Sequence, residues 1–575
     1  MRVLLINPKH PAIGSRIPNE HLPPLGLLSI GGPLLDAGHD VHLVDADLES
    51  MSSDVIVQRA SDRRPDVVLI GHSGSSSAHT IVTELTRSIR GRLPRAKIIY
   101  GGVYPTFHWR EILVEAPWID VIVRGEGEAT TVSLLEALGS SKSLTNIRGL
   151  AFRGTTGPMT TGRAIPLQDL DRARVGWELV DLRRYRYWGN RRAVVIQFSR
   201  GCPHACSYCG QRGFWGPYRH RDPKFFAAEI ARLHRMYGVE VFNLADENPT
   251  ASREAWRAFL EALVAENVPV ILVGSTRAGD IVRDADLLPL YKRAGVARFL
   301  LGIENTDPAT LGLIRKGSTS PTDREAITLL RNHGILSLAT WVVGFSEERD
   351  RDFLQGLRQL LLYDPDQVQL IHATPHRWTP YFRHASARTV IEPDQTKWDY
   401  KHQVLGNRHV APWRVVVWIK LLEAVMQMRP SSLRRVLDHP DRGVREGMRW
   451  YYRVGRKVWV HELVRQLRGK RVIGTLAEFW PLAAETTVQT GLRRSSEPGP
   501  TPTRTRPRSF ARIGRLCHRQ LATSSAIETG VPPSAPSSGR ARSREPQKTQ
   551  RSQHGLIPSR GKKTNPLHMT VRNNF

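Results

Sequence analysis

Cysteine is scarce in this 575-residue chain, which contains only four. Three of them fall within residues 202–209, so the dispersed pairs of a disulfide framework are missing, and we expect a reducing, cytoplasmic environment. Iron-sulfur clusters and structural zinc sites usually take four protein ligands. The fourth cysteine, Cys517, lies more than three hundred residues downstream in the sequence. The missing ligand is therefore either Cys517 or a group that is not protein.

Long apolar runs are also missing. No stretch reaches the roughly 18 uninterrupted apolar residues of a membrane-spanning helix, and the apolar run at the N-terminus is too short for a signal peptide. The nearest candidate, residues 412–428, is interrupted by Arg414, Lys420, Glu423 and Gln427. The last three form one narrow polar stripe on a mostly apolar helix. A buried helix is the simpler interpretation, and a peripheral membrane or partner contact is the alternative.

Acidic residues are few relative to basic ones: 54 Asp or Glu stand against 83 Lys or Arg, a formal charge of +29. Residues 491–575 hold 17 Lys or Arg, 3 Asp or Glu and ten prolines, without Trp or Tyr. We predict that this basic tail is disordered. It could be a solvated linker, contact nucleic acid or acidic lipid, or reflect a reading frame that is not native. Because nearly half of the excess charge lies there, we expect no specific nucleic-acid partner.

Residues 1–140 alternate short β-rich runs with helical segments, which predicts an α/β domain with a doubly wound, Rossmann-like parallel sheet. In such sheets, ligands bind at the carboxyl ends of the strands. The residues predicted at those ends are small or polar: Asn7, Gly71, His72, Ser73, Gly74, Gly101, Gly102, Gly125 and Glu126. Glycines there would allow a large flat or phosphate-bearing ligand to approach the backbone, although many sheets carry glycine there for turns alone.

A second alternating series follows a linker at residues 141–190. Six predicted strands within residues 191–385 indicate a partial or full (β/α) barrel, with a helical region at 386–490. The segment "SRGCPHACSYCG", residues 199–210, follows the first of these strands. The three cysteines therefore lie at the edge where barrel enzymes carry their active sites.

The spacing of Cys202, Cys206 and Cys209 places three thiolates on one loop, and thiolates select zinc or iron-sulfur clusters. The chain has no second cysteine pair for a zinc ribbon and no C-x-x-C-H for haem. With three ligands, a [4Fe-4S] cluster keeps one iron open, whereas a purely structural or accidental cysteine cluster is the alternative.

This C-x-x-x-C-x-x-C motif, with an aromatic residue before its last cysteine, resembles the radical S-adenosylmethionine (SAM) enzymes. The resemblance implies that SAM binds the open iron and is cleaved to a 5′-deoxyadenosyl radical. Segments at later strand ends, "LADEN", "STRAGD" and "GIEN", also match the family. It implies SAM contacts from Tyr208, Asp246, Glu247, Asn248, Arg277 and Glu304, although Arg277 and Glu304 could instead be ordinary salt-bridge residues.

The N-terminal domain resembles the cobalamin-binding domain of many radical SAM enzymes, which implies cobalamin as a third cofactor. The D-x-H-x-x-G motif that donates a histidine to cobalt is absent: around His10 the chain reads "NPKHPAIG". We therefore expect no lower ligand from that motif. His72 is an alternative ligand, a loop histidine bonded to backbone is the simpler interpretation, and an empty, vestigial domain stays open.

At finer resolution, segments such as "IIYGGVYPTFHWREIL", "TPHRWTPYF" and "MRWYYRVGRKVW" resemble the anaerobic magnesium-protoporphyrin IX monomethyl ester oxidative cyclases. The resemblance covers about residues 1–480 and implies formation of the isocyclic ring of (bacterio)chlorophyll, giving protochlorophyllide with oxygen from water. Near the predicted barrel mouth, a magnesium porphyrin could contact His372, His376, Arg377, Trp378, Tyr381 and Phe382. Each of these could equally be a core residue.

Two rival functions remain at this stage. A cobalamin-dependent radical SAM methyltransferase would share both domains, and a nucleic-acid-binding protein with a structural cluster would suit the pI of 10.6. Reduced ferredoxin or flavodoxin is the expected electron donor of a radical SAM oxidoreductase.

Overall fold

The computed structural model describes residues 1–9, 20–72, 76–211, 213–466 and 474–480. The predicted disordered tail, residues 491–575, lies outside the described residues, as do Ser73 and Gly74. Every described residue belongs to one unit, Met1–Thr486.

The first sheet contains seven strands: β1 (Arg2–Asn7), β2 (Asp40–Asp45), β3 (Val67–Ile70), β4 (Lys97–Gly101), β5 (Val121–Val123), β6 (Leu150–Gly154) and β7 (Gly157–Thr160). Their spatial order is β2-β1-β3-β4-β5-β6-β7. The first five strands are parallel, as predicted, and β6 and β7 add an antiparallel edge from within the predicted linker.

Helices cover both faces of this sheet: α1 (Leu25–Asp36), α2 (Ser53–Arg63), α3 (Ser76–Arg92), α4 (Val103–Glu115) and α5 (Glu128–Gly139). Successive strand residues point to opposite faces. Leu4 and Ile6 of β1 accordingly join one apolar cluster, while Val3 and Leu5 join another. Burial on both faces explains why these strands read as continuous apolar runs.

The second sheet contains β8 (Arg186–Tyr187), β9 (Arg191–Ile196), β12 (Val241–Leu244), β13 (Ile271–Thr276), β14 (Val296–Glu304), β15 (Leu336–Val343) and β16 (Gln367–His372). A two-stranded ribbon of β10 (Ser199–Arg200) and β11 (Arg219–His220) lies after β9. The sheet order is β16-β15-β14-β13-β12-β9-β8. All strands except β8 are parallel, which confirms the predicted six-stranded partial barrel.

The helices of this part are α6 (Pro223–Tyr237), α7 (Arg253–Ala265), α8 (Ala278–Arg283), α9 (Leu288–Arg293), α10 (Pro308–Leu313), α11 (Ser320–Asn332) and α12 (Asp350–Tyr363). The bounds of α6 follow from its sequence. Asp222 caps its N-terminus by accepting from the backbone N–H groups of Lys224 and Phe225, and Pro223 occupies the first turn. Gly238 ends the helix with a φ of 64°.

The C-terminal region is mainly helical, as predicted. It contains α13 (Pro380–His384), α14 (Pro412–Met428), α15 (Pro430–Leu437), α16 (Arg442–Gln466) and α17 (Leu476–Phe479), with the short strands β17 (Thr389–Val390) and β18 (Gly474–Thr475). Within the described residues, no helix has both the length and the apolarity to cross a membrane.

Candidate active site

The cysteine loop follows β9, the first parallel strand of the second sheet. Gly201 enters it with a φ of 84°, and a Cβ there would lie 2.7 Å from the carbonyl oxygen of Pro217, so only glycine fits. Ser207 fixes the other side: its N–H donates to the carbonyl of Ile314 (2.9 Å), and its own carbonyl accepts from the N–H of Tyr381 (3.0 Å). Backbone contacts thus position the loop against the ends of α10 and α13.

The three cysteine side chains are each partly buried. Burial raises the pKa of Cys202, and it raises that of Cys209 to about 11, with the neighbouring cysteines adding a smaller contribution. Each thiol therefore lies within electrostatic reach of another, and binding a metal would require their deprotonation. In the described part of the chain, no three His, Cys, Asp or Glu side chains form a ready site for a single metal ion.

Glu247, after the end of β12, offers an unused oxygen to this region. Its Oε1 accepts from Nε1 of Trp215 (2.6 Å), while its buried Oε2 has no hydrogen-bond partner among the described residues. Burial, assisted by Asp246, raises the pKa of Glu247 to about 7. A buried carboxylate oxygen without a partner is costly, so a cationic ligand group would stabilise it.

The neighbouring residues Asp246 and Asn248, also predicted to contact SAM, are used within the protein. Asp246 accepts from the backbone N–H of Phe198 (3.1 Å) and from Oγ of Ser199 (2.6 Å), which ties the end of β12 to the cysteine loop. Asn248 donates to Oδ2 of Asp280 (2.9 Å) and is fully buried. Both therefore lie in hydrogen-bond networks within the protein, and their contact with SAM stays a prediction.

Arg277 and Glu304 both lie beside the cysteine loop. Nη1 of Arg277 is 3.8 Å from Sγ of Cys206, and its Nη2 donates to the carbonyl of Lys316. Glu304, at the end of β14, pairs with Nζ of Lys316 (3.1 Å) with both side chains buried. Tyr208 packs next to them, and burial together with Glu304 raises its pKa well above the usual range.

Glu304 also has a positive φ of 66°, which is uncommon for a residue with a side chain. It follows a register shift between β14 and β15. Strained backbone of this kind concentrates at functional sites. Sequence reasoning identified Glu304 but not its partner Lys316, which lies after α10 and carries no motif.

The residues predicted for cobalamin lie at the carboxyl edge of the first sheet. Asn7 donates to Oδ1 of Asp45 (2.8 Å), and Nε2 of His72 lies 2.8 Å from the Tyr100 hydroxyl. Gly71 and Gly101 end β3 and β4, and a Cβ at Gly71 would lie 3.1 Å from the side chain of Leu27.

Two further glycines at this edge adopt left-handed backbone: Gly102 has a φ of 115° and Gly125 a φ of 98°. Other residue types rarely adopt these angles. Glycine is therefore required here by conformation, and the backbone at the end of β4 carries no side chain that would cover it.

Glu126 forms ion pairs within the protein. Its carboxylate pairs with Arg219 (2.6 Å) and Arg200 (3.1 Å) and accepts from the N–H of Leu167. Arg200 also pairs with Glu128 (2.6 Å), and all four charged side chains are buried. This cluster joins the first sheet to the ribbon around the cysteine loop, and the contact of Glu126 with cobalamin stays a prediction.

The residues predicted for the substrate divide into two groups. Tyr381 and Phe382 are buried in a core cluster with residues of β15 and α10, and the Tyr381 hydroxyl accepts from Nη1 of Arg388 (2.9 Å). His372 is buried at the end of β16. His376 and Trp378 instead reach the cysteine loop.

Trp378 and His376 contact the last residue of the cysteine motif. Nε1 of Trp378 donates to the carbonyl of Gly210 (2.8 Å), and a Cβ at Gly210 would lie 3.0 Å from the ring of His376. The His376 and Trp378 rings stack with centroids 4.9 Å apart. Arg377 pairs with Glu111 of α4 (2.8 Å). The segment therefore bridges the cysteine loop and the first domain.

An aromatic cluster completes this bridge, and most of its members escaped sequence reasoning. The rings form a connected set of stacked and edge contacts with centroids 4.3 to 6.5 Å apart: His79, Tyr104, Phe107, His108, His376, Trp378 and Trp480. Burial lowers the pKa of His376 to about 4 and that of His108 well below its usual value, so both are neutral. Nε2 of His108 and Nδ1 of His376 have no hydrogen-bond partner among the described residues.

Two family profiles match the two sheets. The profile described as "B12 binding domain" matches residues 16–135, and "Radical SAM superfamily" matches residues 196–360. Among solved structures, the radical SAM methyltransferase TsrM from Kitasatospora setae shares the fold, with a TM-score of 0.60 at 16% identity, over 81% of this chain and 99% of that chain. OxsB, a cobalamin-dependent SAM radical enzyme, gives a TM-score of 0.62 at 16% identity, over 80% and 71%.

The fold, the cysteine loop and these profiles define a radical SAM enzyme with a B12-binding domain. A curated anaerobic magnesium-protoporphyrin IX monomethyl ester cyclase from Synechocystis sp. is 59% identical over 488 residues, covering 84% of this chain and 98% of the relative. The cyclase of that name from Cereibacter sphaeroides is 31% identical, over 79% of this chain and 74% of the relative. The chain belongs to this cyclase family.

Proposed function

We propose that this enzyme converts magnesium-protoporphyrin IX 13-monomethyl ester to protochlorophyllide by closing the isocyclic ring, with the new keto oxygen taken from water. The net change adds one water and removes six electrons and six protons, and cleavage of three SAM molecules to methionine and 5′-deoxyadenosine would accept the six electrons. The observation that carries the proposal is 59% identity to a curated cyclase along 98% of that relative. A reaction that does not use dioxygen also suits an iron-sulfur cluster that is bound on a partly exposed loop.

The three cysteines and the carboxylate of Glu247 suit two of the cofactors, a [4Fe-4S] cluster and SAM. Cys202, Cys206 and Cys209 would hold a [4Fe-4S] cluster, and Oε2 of Glu247 would accept a hydrogen bond from the amino group of SAM. When bound, the two supply a radical that takes hydrogen from an unactivated carbon. The donor set fits, because three thiols leave one coordination position for SAM and Glu247 has an unused buried oxygen.

Arg277, Glu304 and Tyr208 support this arrangement. Nη1 of Arg277 lies 3.8 Å from Sγ of Cys206, which places a positive charge beside the cysteine loop. Glu304 and Lys316 form a buried pair that joins the end of β14 to the loop after α10. Asp246 and Asn248 act one step further out: Asp246 ties the end of β12 to the start of the cysteine loop, and Asn248 ties it to Asp280 of α8.

Cobalamin is the third cofactor, and it lies on the carboxyl edge of the first sheet. The fit rests on small residues there, with Gly101 and Gly102 leaving the end of β4 without side chains. Asn7, Gly71, His72, Gly125 and the loop containing Ser73 and Gly74 complete the proposed contact edge. Glu126 contributes by fixing this edge to the radical SAM sheet.

The substrate contacts the aromatic cluster between the two sheets. A flat macrocycle stacks on rings such as Trp378, and a porphyrin carboxylate pairs with Arg377 in exchange for Glu111. Neutral imidazoles with an unused nitrogen suit the magnesium ion, and His376 and His108 provide two. His372 and Tyr381 support the pocket from the core. The remaining proposed partners are a reduced ferredoxin or flavodoxin and a peripheral membrane contact.

A cobalamin-dependent methyltransferase is the second candidate, because more distant relatives carry that activity in their names. Hopanoid C-3 methylase of Methylococcus capsulatus is 26% identical over 68% of this chain. Anaerobically reconstituted protein, incubated with reductant, the porphyrin ester and SAM labelled in its methyl group, separates the two. The cyclase reading predicts protochlorophyllide without label and formation of 5′-deoxyadenosine. A labelled, methylated porphyrin without ring closure would contradict it, and Cys206→Ala serves as the inactive control.

A further inference from the structure

Helix α14 carries its polar side chains inward. Lys420 is 3% exposed, and its Nζ pairs with Glu423 (2.8 Å) and with Glu462 of α16 (2.6 Å). The Gln427 side chain also faces α16, because a Cβ at Gly455 of that helix would lie 3.3 Å from its Nε2. The polar stripe that interrupts the apolar sequence is therefore the contact between α14 and α16. One apolar side of α14 is buried against α12, β15 and β16, in agreement with the interpretation as a buried helix.

A second group of apolar side chains on α14 faces outward. Trp413, Val417, Leu421 and Met428 are 58%, 45%, 44% and 71% exposed, at steps of four, four and seven residues along one side of the helix. Leu433 and Leu437 continue the exposure on α15. We refer to these six residues as the α14–α15 apolar stripe. A contiguous stripe of large apolar side chains on a surface marks an interaction site.

A row of arginines lies on the adjoining helix. Arg442, Arg449, Arg453 and Arg456 of α16 are all exposed, at helical steps of seven, four and three residues. Nε of Arg449 donates to the carbonyl of Val436, next to Leu437, so the row borders the apolar stripe. Residues 412–466 carry 12 Lys or Arg and 5 Asp or Glu, a net charge of +7.

We propose that the α14–α15 apolar stripe and the arginine row dock this enzyme on an anionic lipid bilayer. An indole at one end, aliphatic side chains along the helix and basic residues beside them are the composition of an interfacial helix. Anionic headgroups neutralise the arginines and attract them to the surface. This docking surface specifies the peripheral membrane contact of the proposed function, and its test does not require catalytic turnover.

The charge distribution disfavours the other occupants. A second copy would bring the same +7 surface against itself, and the segment 491–575 carries a net charge of +14. Either contact would place like charges together around an apolar centre. An anionic bilayer is complementary to both parts of the surface.

Co-sedimentation of the full chain with vesicles tests this proposal. We expect binding to phosphatidylglycerol-containing vesicles and much weaker binding to pure phosphatidylcholine. Trp413→Ser with Leu421→Ser should weaken binding by about tenfold or more, because two large side chains lose their burial in the acyl boundary. Met236→Ser, at an equally exposed apolar residue of α6, is the matched control and should bind like the wild type.

Because both altered residues are exposed, the melting temperature should stay unchanged, which separates loss of docking from loss of fold. A second variant, Arg449→Gln with Arg453→Gln and Arg456→Gln, should abolish the preference for anionic vesicles. The proposal is overturned if the serine pair binds vesicles as tightly as the wild type, since the basic tail alone would then account for binding. Concentration-dependent dimers that the serine pair abolishes, without vesicle binding, would equally overturn it in favour of a second copy.

Discussion

Replacing Glu247 by glutamine should stabilise the protein while weakening its affinity for SAM. Burial raises the pKa of this carboxyl from 4.5 to about 7, so the native state holds its proton more tightly than the unfolded chain does. The stability that this proton contributes is full below pH 4.5 and is lost as the pH rises to 7. The difference of about 2.5 pH units corresponds to about 3 kcal/mol at pH 8.

Glutamine keeps the acceptor for Trp215 and removes the charge. Glu247→Gln should therefore be more stable than the wild type by up to about 3 kcal/mol at pH 8, and by about 1 kcal/mol at pH 5.5. With SAM added, the wild type should become the more stable of the two proteins, because the ammonium group of SAM compensates the carboxylate charge, which only the wild type carries. Urea unfolding at both pH values and titration calorimetry with SAM measure the two effects.

Glu261→Gln is the matched control, since that glutamate is exposed on α7 and should alter neither quantity. The reasoning fails if Glu247→Gln is less stable than the wild type at pH 8, or if it binds SAM with unchanged affinity. Either result would mean that Oε2 of Glu247 already has a partner within the protein.

Three further substitutions probe the surroundings of the site. Asp246→Ala should destabilise the fold by about 3 kcal/mol or more in urea unfolding, because two backbone donors and a hydroxyl lose a buried acceptor; an effect below about 1 kcal/mol would contradict its joining role. Arg200→Leu should lower the free energy of unfolding by about 3–5 kcal/mol, since it leaves the buried carboxylates of Glu126 and Glu128 with less compensating charge. Limited proteolysis should then cut between the two sheets, and an unchanged digestion pattern would contradict this. Trp378→Leu should weaken porphyrin binding, measured by absorption titration, while the affinity for SAM stays within about twofold of the wild type. An equal loss of porphyrin affinity and SAM affinity would refute a substrate role for Trp378.

The sequence was sufficient to predict the strands and the cysteine loop. Parallel strands buried on both faces read as short apolar runs, and all six parallel strands of the second sheet lie where such runs predict them. The position of the cysteines follows from strand order alone, because the loop after β9 must reach the carboxyl edge. These features depend on local pattern.

Contacts between distant segments could not be predicted in the same way. His108 and Trp378 are 270 residues apart, and nothing in either segment indicates that their rings meet at 5.6 Å. Likewise, periodicity identifies a polar stripe on α14 but not its direction, which depends on Glu462 arriving from α16. Asp246 and Asn248 match a family motif, yet their hydrogen bonds run to neighbouring strand ends.

The origin of the new oxygen tests the central claim most directly. Protein reconstituted with cluster and cobalamin is incubated without dioxygen in ¹⁸O-labelled water, with SAM, reductant and magnesium-protoporphyrin IX monomethyl ester. The account predicts protochlorophyllide carrying one ¹⁸O atom, detected by mass spectrometry, and no such product from Cys206→Ala. A porphyrin that is consumed without ring closure, or a ring-closed product without the label, would contradict it.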